Sequence, residues 1–297
     1  MHKYWKTTPY TKAFDVLNHT LLILFTLIVI YPLWDQFVIS ITDNHYQAIG
    51  SAFLWPAKVT FEAYQQLFSD AKILKGALIS LLRVGVGTAS TLFCTGLLAY
   101  ITTIKRFKGR TLVRRIYIFT MYFGGGLIPF YLLMVNLHLI NTFWIYVIPG
   151  LFSAYYMLLI ASYIQNIPDS LFEAARIDGC SELGIYVKVV VPICIPVFAA
   201  VAVYLAVGHW NSWFDVLIYN PKGDWDTLQV YLRRILLEAE SFSKIQDSSR
   251  LEAAARRISG ENLKAATTIA VTVPILIVYP FFQKYFISGI TIGAVKE

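Results

Sequence analysis

Apolar residues in this chain fall into long runs that are separated by short polar segments. A transmembrane helix needs about 20 predominantly apolar residues, and six runs have about that length. Because lipid cannot satisfy the backbone of an open strand, we predict that all of them are α-helices. The pattern therefore predicts an all-α integral membrane protein with about six transmembrane helices. The runs are Val16–Ile41, Gly76–Ile104, Ile116–Leu139, Thr142–Ile164, Val189–Tyr219 and Ala265–Phe286.

Composition supports this interpretation. Of the 297 residues, 57% are hydrophobic and 14% are charged, whereas soluble domains average about 45–50% and about 25%. The net charge of +7 needs no nucleic acid to explain it, because cytoplasmic loops of membrane proteins accumulate Lys and Arg. Cys94, Cys180 and Cys194 show no paired spacing, so we expect small buried side chains rather than metal ligands.

The charged loops predict the topology. Lys105–Arg115 contains six basic residues and no acid, which is typical of a cytoplasmic loop. Six spans then place both termini in the cytoplasm. The first run is too long for a signal peptide and no small-residue cleavage site follows it, so we expect it to be retained. Glu173–Pro192 is predicted to be cytoplasmic, and Thr42–Lys75 and Asn220–Asn262 are predicted to lie outside.

The outer segment Asn220–Asn262 has a pattern of its own. Pro221–Trp225 (PKGDW) is typical of a turn, apolar residues at helical spacing follow it, and RLEAAARRI is a second helix former. An insertion of this length is usually functional, although a lid that packs on the helix ends is the alternative. The predicted apolar face is Leu228, Tyr231, Leu232, Ile235 and Leu236.

The segment between the fourth and fifth runs is predicted to form a helix, a sharp turn and a second helix. Ser170 and Glu173 match a capping box, and Gly179 stands where a helix end favours a left-handed residue. Leu183, Tyr186, Val187 and Val190 predict a second helical face. The first helix is too short to be stable alone, and its charges are too costly for hydrocarbon. We therefore expect a protein partner on the cytoplasmic side.

Some side chains within the runs are candidates for a transport pathway. Arg83 is well inside the second run, where a charge is costly; it either has a functional role or pairs with a partner subunit or lipid headgroup. Asp35, near the outer end of the first run, is explained by interfacial solvation. Tyr122 and Gly124–Gly126 either line the pathway or allow close helix packing. A cluster in the fifth run suits sugar binding or an interfacial aromatic belt: His209, Trp210, Asn211, Trp213 and Asp215.

The cytoplasmic segment resembles a motif of the inner-membrane permease subunits of ABC importers. That motif has the form EAA, three residues, Gly, nine residues, I-x-L-P. Here Val replaces both Ile and Leu, and a second EAA at Glu252 lacks the Gly and the Pro. The matching positions are Glu173, Ala174, Ala175, Gly179, Val189, Val191 and Pro192.

The resemblance extends from about residue 70 to the end of the chain. Met121–Met134, His209–Asp215 and the tail YPFFQKYFISGITIGAVKE are similar to carbohydrate importers related to the maltose permease pair, especially to its smaller partner. The glycine stretch and the tail look closest to the subgroup that imports complex oligosaccharides, including uronate-containing ones such as alginate oligosaccharides.

The resemblance implies a type I importer fold and a division of the chain. Residues 1–70 would form a tail, the first span and an outer loop. Residues 71–289 would form the permease domain, with a coupling helix at 170–190 and an outer insertion at 220–262, and 290–297 a cytoplasmic tail. The residues implied to couple this chain to an ATPase are Glu173, Ala174, Ala175, Asp178 and Gly179.

The resemblance also implies partners in the bacterial inner membrane. They are a second homologous permease in a heterodimer, two ATP-binding subunits and a soluble sugar-binding protein. The chain has no phosphate-binding loop, so ATP and Mg²⁺ would bind the partner ATPases. It also lacks HExxH, GxSxG and paired-carboxylate patterns, so no catalytic or metal site is predicted.

Two other functional classes fit parts of the sequence. An ion-gradient-driven transporter could use Arg83, Asp35 and Asp215 as coupling charges, although the spans show no obvious inverted repeat. A membrane scaffold or sensor without transport is the third class.

Overall fold

The computed structural model describes residues 9–43, 54–244, 260–278 and 280. Within these ranges the chain is helical, and its one β-type pairing is an isolated bridge between Thr42 and Val59. The prediction of an all-α fold is confirmed. The helices are α1 (Pro9–Ser40), α2 (Glu62–Ser69), α3 (Ala71–Thr103), α4 (Arg110–Tyr122), α5 (Leu127–Asn136), α6 (Ala154–Ile164), α7 (Asp169–Ile177), α8 (Glu182–Ile185), α9 (Val191–Ile193), α10 (Ile195–Asn211), α11 (Phe214–Tyr219), α12 (Leu228–Lys244) and α13 (Gly260–Val278).

One compact unit comprises Met1–Asp70 and Arg234–Thr272. In its described part, the buried Asn262 amide donates to the carbonyl of Thr42 at 2.6 Å. Trp34 at the end of α1 donates to the carbonyl of Leu54 at 2.9 Å. These bonds join the end of α1, the segment after it and the start of α13.

The other unit comprises Ala71–Arg233 and Val273–Glu297. Its described core lies where α3 packs against α6 and α10. The core residues are almost completely buried, so their apolar surface is removed from both water and lipid. They include Ala99, Tyr100, Met157, Ile160, Val197 and Val201.

Three helices in the described residues are long and apolar enough to cross a membrane, or up to five if each of two bent pairs forms one span. The three are Thr11–Ser40, Ala71–Thr103 and Gly260–Val278. They agree with the first, second and sixth predicted runs as far as the structure describes the last. The count of six spans stays a prediction, as do the domain boundaries.

The third predicted run is not one continuous helix. α4 ends at Tyr122 and α5 begins at Leu127. Gly126, just before α5, has a φ of 85°, a left-handed conformation that glycine adopts at little cost. Three consecutive glycines therefore interrupt the run.

The fifth run is broken as well. Glu182–Ile193 and Ile195–Asn211 meet at 86°, and Pro196 lies in the first turn of α10, where proline is tolerated. A π-helical turn over Tyr186–Val190 precedes the break. It adds a residue to that turn and rotates the face. Of the predicted face, Tyr186 and Val190 are buried, whereas Leu183 and Val187 are exposed.

Close packing at Gly96 of α3 can be tested by substitution. A Cβ at Gly96 would stand 2.4 Å from Oη of Tyr186 and 2.6 Å from a ring carbon of Phe198. We expect Gly96→Ala to lower the melting temperature of the purified protein, because buried rings must move to admit the methyl group. Gly85→Ala in the same helix meets no atom within 4 Å. It is expected to be neutral or stabilising, since alanine favours helix by about 1 kcal/mol over glycine. Equal melting temperatures for both variants would contradict this packing.

Candidate functional site

The helix α7 contains the EAA residues and ends in a well-defined turn. The N–H of Gly179 donates to the carbonyl of Arg176 at 3.0 Å, and the N–H of Cys180 donates to the carbonyl of Ala175 at 3.0 Å. This pair of bonds is a Schellman motif, in which the residue after the C-cap is left-handed. Gly179 has a φ of 78°, so the predicted helix-ending conformation is confirmed.

The predicted capping box is wrong. The helix starts one residue before Ser170, its N-cap is Pro168, and no side chain caps it. Asp169 instead occupies the first turn, where a carboxylate is favoured by the helix dipole. The side-chain cap is found on the next helix, where Ser181 accepts from the N–H of Gly184 at 3.1 Å.

The carboxylate of Glu182 joins α7 to two other elements. Arg176 Nε donates to Glu182 Oε1 at 3.0 Å, and the Tyr100 hydroxyl donates to Glu182 Oε2. The hydrogen bond to Glu182 raises the pKa of Arg176. One carboxylate at the start of α8 therefore holds a guanidinium from α7 and a phenol from α3.

Aromatic packing reinforces this connection. Tyr100 is 2% exposed, and its ring lies 6.2 Å from that of Phe172 in α7 and 6.1 Å from that of Tyr186 in the π turn. Tyr186 in turn donates to the carbonyl of Phe93 at 3.2 Å. Ala175 is the buried residue of α7. We call Tyr100, Phe172, Arg176, Glu182 and Tyr186 the anchor cluster.

The other side of α7 is open. Ile177 is 87% exposed and Leu171 is 44% exposed, and Glu173, Ala174 and Asp178 are exposed as well. Nothing within the described residues covers this face. Two large apolar side chains, Leu171 and Ile177, therefore stand on the uncovered side of α7.

A cavity of about 570 Å³ lies beside α7. Its charged lining consists of Lys105, Arg106, Asp169, Glu173 and Arg176. Asp169 forms an ion pair with Lys105 of the loop after α3, whereas Glu173 forms no ion pair within the described residues. The pairing of Glu173 with a basic group of an ATPase stays a prediction.

Two of the candidate pathway residues lie against each other. Arg83 is 4% exposed and forms an ion pair with Asp215, whose Oδ1 also accepts from Ser212 Oγ at 2.6 Å. The guanidinium carbon lies 4.6 Å from the centre of the Tyr146 ring. Arg83 thus has an ionic partner within this chain.

The remaining candidates are dispersed. Trp210 is buried, and Asn211 is exposed and accepts from Gln229 Nε2 at 3.3 Å. Trp213 lies under Arg233, with the guanidinium carbon 3.7 Å from its ring. Tyr122 is 85% exposed. Whether any of these residues contacts a substrate stays a prediction.

The outer segment begins as predicted. Gly223 has a φ of 78° and donates to the carbonyl of Asn220 at 3.0 Å, which confirms the turn, and α12 confirms the following helix. The second helix former, RLEAAARRI, lies outside the described residues. The predicted apolar face is buried or half-buried throughout: Leu228, Tyr231, Leu232, Ile235 and Leu236.

The comparison with protein families decides the identity of the fold. A model described as "Binding-protein-dependent transport system inner membrane component" matches residues 93–292. The chain belongs to this family. The α7 segment, the broken fifth run and the start of the outer segment all lie within the matched residues.

Individual relatives of this permease agree with the family. The polygalacturonan/rhamnogalacturonan transport system permease protein YtcP of Bacillus subtilis (strain 168) is 32% identical over 286 residues, which are 96% of this chain and 99% of the relative. Protein LplC of the same strain is 35% identical over 286 residues, which are 96% of this chain and 95% of the relative.

A solved structure shows the same fold. In the crystal structure of a bacterial ABC transporter involved in the import of the acidic polysaccharide alginate, one chain matches with a TM-score of 0.83 and 29% identity. The match covers 94% of the permease and 99% of that chain. The resemblance to ABC importer permeases for carbohydrates is confirmed, and so is the type I importer fold class.

Sequence reasoning missed the anchor cluster of the permease. Tyr100 is separated from Glu182 by 82 positions, and no local pattern connects them. The cap at Ser181 could have been predicted, because serine is a favoured N-cap residue and Ser181 directly follows the helix-ending Gly179 and Cys180. The Arg83–Asp215 pair spans 132 positions and could have been inferred only by matching two costly intramembrane charges.

The Arg83–Asp215 ion pair predicts that two variants differ in stability, although each of them removes one carboxylate charge. Asp215→Asn leaves the buried guanidinium without its counter-charge, and we expect a loss of about 2–3 kcal/mol, below the range for a fully buried pair. Asp224→Asn removes the same charge from an exposed position and should change little. Thermal unfolding of the purified permease in detergent measures both. Identical melting curves would show that the pair contributes no stability.

Proposed function

We propose that this permease is one of two membrane subunits of an ATP-driven importer of oligosaccharides. A second homologous permease completes the pathway, two ATPase subunits bind the cytoplasmic face, and a soluble binding protein delivers the sugar. ATP binding and hydrolysis on the partners drive alternating access of the pathway. Both termini are cytoplasmic.

The observation that supports this proposal most directly is the two-sided character of α7. One side is fixed to α3 and to the helix after it by the anchor cluster, while the other exposes Leu171, Ala174 and Ile177. A helix that is fixed on one side transmits a displacement applied to the other. The exposed side is the docking surface for an ATPase, and Glu173 adds a charge that a basic group of that subunit can pair.

We further propose that the oligosaccharides contain uronic acids. YtcP is named for polygalacturonan and rhamnogalacturonan transport, and the structural neighbour belongs to an importer of alginate, an acidic polysaccharide. The pathway residues that can reach a substrate are Asn211, Trp213 and Tyr122, whose amide and aromatic rings are at least partly exposed, whereas Trp210 is buried. Arg83 and Asp215 neutralise each other, which argues against their use as coupling charges of a gradient-driven transporter.

The outer segment is proposed to contact the binding protein. It begins with a rigid base, since the N–H of Leu228 donates to Ser80 of α3 at 2.9 Å and the Tyr146 hydroxyl donates to the carbonyl of Trp225 at 3.0 Å. A fixed base allows the rest of the insertion to present a defined surface.

Uptake tests the proposed function. The complete transporter, with its binding protein, is reconstituted in liposomes with ATP supplied to the ATPase side. We expect uptake of oligogalacturonates or alginate oligosaccharides and little uptake of neutral malto-oligosaccharides. Uptake that follows an ion gradient without ATP would contradict the proposal that this is an ATP-driven importer. ATP-dependent uptake of the neutral sugar alone would contradict only the substrate class.

Substitutions at Gly179 test the coupling role of α7. Gly179→Ala is expected to reduce sugar transported per ATP hydrolysed, since a left-handed residue with a Cβ costs about 1–2 kcal/mol and loosens the helix end. No atom lies within 4 Å of a Cβ at this position, so the effect comes from the backbone conformation alone. Gly179→Asn is the matched control, because asparagine adopts this conformation more readily.

The measurement is the ratio of uptake to ATP hydrolysis in the same liposomes. A normal ratio in both variants would contradict the coupling role. An equal loss in both would show that the side chain, not the backbone, disturbs the contact.

A further inference from the structure

A second cavity, of about 360 Å³, lies at the end of α3 that precedes the basic loop. Its lining offers hydrogen-bond donors from five side chains and no carboxylate. Thr102 and Thr103 also line it, but their hydroxyls donate to carbonyls of their own helix at 2.8 and 2.7 Å. The five donors are Lys105, Arg110, Thr111, Arg114 and Gln165.

The positive charge of this cavity is poorly compensated. Lys105 pairs with Asp169, but no ion pair joins Arg110 or Arg114 to an acid in the part of the chain that the structure describes. The two guanidiniums stand one turn apart on α4 and repel each other. The start of α4 has no side-chain cap and adds the positive end of its dipole. An anion in the cavity would relieve this repulsion.

The place of the cavity at one end of α3 relates it to the membrane. The apolar helix α3 is long enough to span the bilayer and ends at Thr103, next to the cavity. The positive-inside rule calls for basic residues in cytoplasmic loops, but it does not require their side chains to point in any particular direction. That rule does not explain why Arg110 and Arg114 converge on one cavity with Thr111 and Gln165.

We propose that this cavity binds the phosphate of an anionic phospholipid headgroup. Arginine forks match phosphate oxygens, and basic pockets between helices on the cytoplasmic side are suited to such headgroups. The occupant is a lipid rather than a soluble anion because the cavity stands at the end of a membrane-spanning helix. The site adjoins the loop paired to α7 through Lys105, so a bound headgroup would also brace that loop.

Lipid retention tests the proposal on the complete transporter. The complex is delipidated in detergent and titrated with phosphatidylglycerol or phosphatidylcholine, and bound lipids are counted by native mass spectrometry. We expect selective binding of phosphatidylglycerol, and about thirtyfold weaker binding in R110Q/R114Q, as for the loss of two cations at an anionic surface. R110K/R114K retains the charges and should retain most of the binding.

The matched control is K108Q/R115Q, which removes one charge from the loop before α4 and one from α4 itself, both outside the cavity lining. It should bind phosphatidylglycerol as the unmodified complex does. If R110Q/R114Q does not assemble, R114Q replaces it, with an expected loss of about fivefold.

Three results would overturn the proposal. Equal losses in the control and in R110Q/R114Q would mean that only loop charge matters. Binding of free glycerol phosphate as tight as that of phosphatidylglycerol would assign the cavity to a soluble anion. Loss of the ATPase subunits from R110Q/R114Q, with lipid binding unchanged, would assign the arginines to a protein contact.

Discussion

The carboxylate of Glu182 accepts hydrogen bonds from Arg176 of α7 and from Tyr100 of α3, and the proposed coupling role of α7 depends on that shared acceptor. A helix of nine residues is not stable alone in water. The exposed ion pair alone would contribute little, since about half of the Glu182 side chain is exposed. The buried phenol and the rings on both sides of it supply the packing that the charges lack. Together they make α7 part of the same packed body as α3.

This arrangement explains why the apolar side chains of α7 can stay exposed. Ile177 and Leu171 are not needed to hold the helix in place, because Ala175, Phe172 and Arg176 do so from the opposite side. The Schellman turn at Gly179 then directs the chain into α8 within two residues. The same segment therefore satisfies its own backbone and leaves a free surface for a partner.

Short-range features of the sequence were sufficient for much of the fold. Runs of apolar residues predicted α1, α3 and α13, and a glycine in a helix-ending context predicted the conformation at Gly179. The errors arose where longer-range packing decides. The helix start at Asp169 did not use Ser170 as a cap, and two of the four residues predicted for the second helical face, Leu183 and Val187, are exposed. Arg83 and Asp215 are remote in sequence, so their pairing needed the packing of α3 beside α11.

We propose that α7 moves together with α3 when the ATPases act. The test is the distance between two spin labels, one at Ile177 on the exposed side of α7 and one at Lys108 just beyond α3. The complete transporter used for this measurement lacks Cys94, Cys180 and Cys194. Pulsed electron paramagnetic resonance gives that distance with and without ATP. We expect the same distance in both states, because the anchor cluster holds the two elements as one body. A distance that changes on ATP binding would contradict it.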